Sequence, residues 1–213
     1  MTTNTIRQQA ITEHIGKKYE LAQWRDWKWQ LRHSIRDIET VEKILETRFS
    51  AEEKQRLEDT LAKFPLSITP YYLSLVDIKN FRQDPVFKQA FPCPAELILT
   101  DCDMHDPLAE DKDSPVEGIT HRYPDRVLFH VANVCSMYCR HCTRKRKVGD
   151  ADSIPNRAVL EKGIDYIRST PVVRDVLLSG GDPLMLSNDT LEWLLRELRA
   201  IPHIEIIRIG TRM

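Results

Sequence analysis

The spacing of apolar positions changes character along the chain. From Ala22 to about Phe64 charged residues dominate, and Ile35, Ile38, Val41, Ile44 and Leu45 recur at helical intervals that predict one apolar face. Ser50 and Glu53 form a capping-box pair that predicts a helix from Ala51 to about Lys63. Prolines then recur at Pro65, Pro70, Pro85, Pro92, Pro94, Pro107, Pro115 and Pro124. Each removes an amide donor and fixes φ, so this stretch predicts an irregular, wrapping segment. After Arg126 the texture shifts to short apolar runs at Val127–Ala132, Val176–Leu178 and Ile204–Ile209, which read as buried strands. A helix begun by Pro155 separates the first two. A second helix, capped by Ser187 or Asn188, carries Leu191, Leu194, Leu195 and Leu198 on one stripe.

Strand, helix, strand, helix, strand predicts an α/β fold with a parallel sheet and right-handed crossovers, either open and doubly wound or part of a barrel. The expected division is a helical N-terminal region over 1–120 and an α/β region over 121–213. Three parallel strands would leave an apolar edge, so the chain is expected to be a fragment or to need a further segment to close it.

Composition narrows the function classes. Of 213 residues, 41% are hydrophobic and 30% charged, enough to bury a core. Lys+Arg number 31 against 32 Asp+Glu, so no basic stripe suggests nucleic acid or an anionic membrane, and a small-molecule partner is expected. Met1 to Ile11 lacks a signal-peptide core, no run is long enough to span a bilayer, and a cytoplasmic location is expected.

Five cysteines, three of them within eight positions, do not resemble a disulfide framework, and in a reducing compartment clustered thiols bind metal. Cys93 and Cys102 stand apart and are expected to be structural. The spacing Cys135-x-x-x-Cys139-x-x-Cys142 follows the first predicted strand, where ligand sites gather on parallel sheets. Ordinary iron-sulfur clusters take four thiolates, so three nearby imply a missing fourth or an iron left open for a substrate. The competing reading is zinc, with His141 completing a Cys3His tetrahedron, although His141 and Cys142 are adjacent in sequence.

The run Cys135-Ser136-Met137-Tyr138-Cys139-Arg140-His141-Cys142-Thr143-Arg144 resembles the radical S-adenosylmethionine (radical SAM) motif of the lysine 2,3-aminomutase family. The resemblance extends through Trp24–Gln30, Ile68–Tyr72, Thr120–Arg126, Leu178–Asp182 and Arg208–Arg212, covering about Trp24 to Arg212. It implies a partial TIM-type barrel of parallel strands, with the first three present, holding a [4Fe-4S] cluster, S-adenosylmethionine and pyridoxal 5'-phosphate. The reaction implied is a radical migration of an amino group from the α- to the β-carbon of an amino acid, L-lysine first and L-glutamate as the alternative. An isomerase of this kind also needs an electron donor, and the family assembles as homo-oligomers.

Carried over residue by residue, Cys135, Cys139 and Cys142 would hold the cluster. Gly180, Gly181 and Asp182 would meet the methionine part of S-adenosylmethionine, glycine permitting close backbone approach and a carboxylate accepting from an ammonium. Arg122 would bind the pyridoxal phosphate group, and Arg144 would grip the substrate carboxylate with its guanidinium fork. Without the resemblance, the triplet reads as an ordinary turn and Arg144 to Lys147 as a solvated charged face. His121 and His130 read as structural, and Trp24, Trp27 and Trp29 as packing or subunit contacts.

Two departures matter. The family's Schiff-base lysine lies downstream of the matched region, so no catalytic residue is nominated here and no mutase turnover is expected of this chain alone. The stretch Lys145 to Asp150 departs from the Arg-Arg-Phe-Ala-Gly usual in the lysine enzymes and looks closer to the glutamate branch. A zinc-binding interaction module and an inactive remnant remain the alternatives.

Overall fold

The computed structural model describes residues 3–149 and 155–213. The chain divides into two compact units, one comprising Met1–Asp101 with Ser136–Cys142, the other Cys102–Cys135 with Thr143–Met213. The middle of the cysteine loop groups with the first unit.

In the first unit α1 (Thr3–His14) precedes the predicted helical stretch, which comprises α2 (Leu21–Trp24), α3 (Trp27–Arg32), α4 (Ile38–Ile44) and the expected α5 (Ala51–Lys63), followed by α6 (Pro70–Leu73) and α7 (Pro85–Ala90). Asp26 and Asp37 explain two of the breaks, because each caps the next helix by accepting an amide hydrogen bond, from Lys28 and from Thr40. Ser50 caps α5 as expected, accepting from the Glu53 amide at 3.1 Å. The Glu53 carboxylate instead pairs with Arg82, so the reciprocal half of the capping box is absent. Ile35, Ile38, Val41, Ile44 and Leu45 are all buried, with Trp24 and Trp29 beside them, while Trp27 is half exposed.

In the second unit four strands form one open mixed sheet in the order β1 (Ile119–Tyr123), β2 (Arg126–Ala132), β3 (Asp175–Gly180) and β4 (Ile206–Ile209). The three expected strands are present and mutually parallel. The fourth, β1, is antiparallel to β2 and was expected to be irregular. Pro124 and Asp125 are the two residues between the paired Tyr123 and Arg126, so the proline that argues against a strand here forms its turn. The sheet is not closed, and a partial barrel remains an expectation.

Helices α8 (Arg157–Arg168) and α9 (Asn188–Arg199), capped by Asn156 and Ser187, join the unit's core. Strand alternation explains the result: Val127, Phe129, Val131, Val176 and Leu178 are buried in the same cluster as Leu160, Ile164, Leu194 and Leu198. The intervening residues point to the opposite face. There Thr120, Leu128, Leu177 and Arg208 stand directly opposite one another across the four strands.

Candidate active site

That register row forms the wall of a cavity of about 410 Å³ within the second unit. Glu110, Thr120, Arg122, Arg126, Arg144 and Arg208 are its polar lining, so four guanidiniums face one carboxylate. Each arginine carries an acidic partner: Arg122 with Asp113 at 2.7 Å, Arg126 with Asp125 at 2.8 Å, Arg144 with Glu110 at 2.6 Å and Arg208 with Asp175 at 2.8 Å. Arg122 also donates to the Leu108 carbonyl. A guanidinium has five N–H donors, so a carboxylate on one edge orients the fork and leaves capacity for a second anion. Arg122 and Arg144, nominated from the sequence for a phosphate and a carboxylate, line the same arginine-rich cavity.

Glu110 was not singled out from the sequence. Its carboxylate is 4% exposed and accepts from Arg144 Nε at 2.7 Å, with Lys147 Nζ at 3.4 Å. Burial alone would raise its pKa, but the hydrogen bond and charge of Arg144, with Lys147, hold it below the usual carboxylate range. His130 Nε2 lies 3.0 Å from Thr120 Oγ1 and 4.0 Å from Glu110. Burial pushes His130 down to about 4, against the pull of Glu110, so the imidazole is neutral at neutral pH. His121 bonds the Tyr166 hydroxyl at 2.6 Å. Both histidines are held by hydrogen bonds within the unit.

The cysteine loop follows β2 through turns and bends. The Gly149 amide donates to the Asn133 carbonyl at 2.9 Å and pinches the loop at its base. Within the first unit the Cys142 amide donates to the Cys139 carbonyl at 3.0 Å, closing a tight turn. Arg140, inside that turn, forms a two-point ion pair with Glu96 at 2.8 and 2.9 Å and donates to the Pro65 carbonyl. Its side chain is 8% exposed, so the residue between two of the thiols is an anchor.

Cys135, Cys139 and Cys142 are half-buried and in no disulfide, whereas Cys93 and Cys102 are exposed rather than packed in a core. Among the described residues no three His, Cys, Asp or Glu side chains are gathered into a preformed metal-binding group, which holds equally for the zinc tetrahedron with the exposed His141. The donor chemistry still fits a [4Fe-4S] cluster with one open iron, since three cysteines outside any disulfide, on one irregular loop, can supply three thiolates. Thiolates repel one another, and it is the bound metal that offsets their convergence.

Gly180 and Gly181 have a more local explanation than ligand approach. Gly180 has φ +115°, and a Cβ there would collide with the Ala132 carbonyl oxygen. At Gly181 a Cβ would lie 2.5 Å from the Val134 carbonyl oxygen and 2.7 Å from its nitrogen. The Gly181 and Asp182 amides donate to the Ala132 and Val134 carbonyls at 2.6 and 2.8 Å, tying the end of β3 to the chain leaving β2. Asp182 is buried, and its carboxylate accepts from the Thr211 hydroxyl at 2.7 and 2.9 Å, the Arg212 amide at 2.8 Å and the Leu184 amide at 3.0 Å. In this structure Asp182 ties the chain beyond β4 to the end of β3, with three donors on its carboxylate.

Against this geometry, sequence comparison gives a consistent family. Residues 129–213 match the sequence model of the Radical SAM superfamily. Across most of its length the chain is similar to L-lysine 2,3-aminomutases: 52% identical to that of Methanococcus maripaludis over 95% of this chain and 47% of the relative, and 50% identical to that of Clostridium subterminale over 93% and 48%. Similarity to a glutamate 2,3-aminomutase, from Clostridioides difficile, is lower, at 42% over 89% of this chain and 44% of the relative. The chain is thus a relative of the lysine 2,3-aminomutase family of radical SAM proteins. It spans about half the length of these curated relatives.

Proposed function

We propose that this chain carries the cluster- and cofactor-binding part of a radical SAM amino acid 2,3-aminomutase, an isomerase that moves the α-amino group of L-lysine to the β-carbon. The observation that carries the proposal is the spacing Cys135-x-x-x-Cys139-x-x-Cys142 in the chain that leaves β2, inside the stretch that matches the superfamily. When bound, the cluster would supply the electron that cleaves S-adenosylmethionine to a carbon radical, and pyridoxal 5'-phosphate would hold the migrating nitrogen. The chain's own residues bind and orient. Arg122 offers its guanidinium to the phosphate, and Arg144 offers its own to the substrate carboxylate while Glu110 fixes one edge. Gly180, Gly181 and Asp182 shape the wall for S-adenosylmethionine, with the Asp182 carboxylate held in place by Thr211 and Arg212.

Higher identity to the lysine enzymes supports L-lysine, whereas the run Lys145-Arg146-Lys147-Val148-Gly149 favours L-glutamate; Asp150, which ends that run, lies outside the described residues. No helix among the described residues is long and apolar enough to cross a membrane, and free cysteines suit a reducing cytoplasm with a redox protein as electron donor and a second copy as partner.

The test is anaerobic reconstitution with iron and sulfide, followed by S-adenosylmethionine and dithionite. Release of 5'-deoxyadenosine is expected, and calorimetry should then rank L-lysine above L-glutamate. A colourless protein holding one zinc and releasing no nucleoside would overturn the proposal.

A further inference from the structure

The segment Asp106–Asp111 forms an acidic strap over the basic run Arg144–Lys147. Asp106 and Asp111 both pair with Arg146 at 2.9 Å, Asp111 lies 3.4 Å from Lys147, and Glu110 meets Arg144 and Lys147. The strap is closed on itself. Asp106 accepts the Asp111 amide at 2.8 Å, its carbonyl accepts the Ala109 amide, and Ala109 takes φ +48°. A left-handed alanine is strained, and such strain persists only where surrounding contacts impose it. Here it directs Glu110 into the cavity, where Nε and Nη2 of Arg144 both lie against the same oxygen, Oε1, at 2.7 and 2.6 Å.

We propose that Glu110, held by this strap, is the positioning residue that makes Arg144 selective for a carboxylate-bearing ligand. This rests on the reading of Arg144 as the carboxylate-binding residue. An arginine on a flexible stem would attract any anion in this cavity; one whose Nε edge is occupied presents its remaining donors in a single orientation. Glu110 also cancels charge that Arg144 and Lys147 would otherwise offer to a phosphate. Selectivity therefore comes from orientation, and the strap supplies it.

The experiment compares wild type, Glu110→Gln and Arg144→Lys, each with its cluster reconstituted and pyridoxal 5'-phosphate added. Calorimetry measures binding of L-lysine against 1,5-diaminopentane, which is lysine without its carboxylate, and of inorganic phosphate as a control. In Glu110→Gln the preference for lysine is expected to fall by about tenfold or more, the loss of one well-oriented charge-assisted contact, while phosphate affinity is unchanged or higher. Arg144→Lys should lose the preference too. If Arg144→Lys loses it and Glu110→Gln keeps it, the positioning role is overturned and the reading of Arg144 stands. If wild type shows no preference, or Arg144→Lys retains it, the reading of Arg144 falls and the positioning role with it. A uniform weakening of all three ligands in Glu110→Gln, with the ratio preserved, marks a merely structural role and also overturns the proposal.

Discussion

Gly180→Ala is expected to destabilise the second unit by about 3 kcal/mol or more, the sum of a left-handed backbone forced on a residue with a Cβ and a clash that only backbone movement relieves. The atom it would strike is the Ala132 carbonyl, which accepts the Gly181 amide, so the clash and the lost hydrogen bond fall on the same contact. Gly181→Ala should be nearly as damaging, because its Cβ would stand 2.5 Å from another backbone carbonyl. Urea unfolding monitored by circular dichroism checks both. Unchanged midpoints would show that the glycines serve a ligand and not the join between β2 and β3.

Substitution of any one of Cys135, Cys139 and Cys142 by alanine is expected to cut bound iron and acid-labile sulfide by about tenfold or more, since a cluster held by three protein thiolates has none to spare. Cys93→Ala and Cys102→Ala should leave iron content at the wild-type level, because both residues are exposed and lie outside the loop. Iron and sulfide assays on the five variants read this directly. Equal loss in all five, or in none, would remove the loop from the metal site.

Much of the fold was legible because its signals are local. The Ser50 cap, the leucine stripe of α9 with Ser187 before it, and the apolar runs of β2 and β3 each follow from side-chain period or cap chemistry over a few residues. Strand β1 was missed because Pro115 and Pro124 dominate its surroundings, yet Pro124-Asp125 between two pairing runs is itself a hairpin signal. The helical period before Phe64 gave the right core, but the breaks at Asp26 and Asp37 were not read, since both can be taken for surface charges as easily as caps.

The site divides in the same way. The thiols and Arg122 and Arg144 stand in motifs that can be read along the chain. The roles of Glu110, the Arg140 anchor and the Asp182–Thr211 hydrogen bond cannot, because their partners lie 34, 44 and 29 residues away and only the fold brings them together. A glutamate among Asp106, Asp111 and Asp113 looks solvated until Arg144 and Lys147 are placed over it. Arg140 likewise reads as part of the cysteine motif, whereas its guanidinium belongs to Glu96 and Pro65.

Whether the loop leaves one iron open to a ligand is measured most directly by electron paramagnetic resonance of the reduced, reconstituted chain before and after S-adenosylmethionine is added. Coordination of the nucleotide's amine and carboxylate at a three-thiolate cluster predicts a changed g-tensor and line shape, lost when Cys139 is replaced by alanine. A [4Fe-4S] signal that stays identical through the titration would mean that all four irons are already satisfied, and radical chemistry at this loop would be excluded.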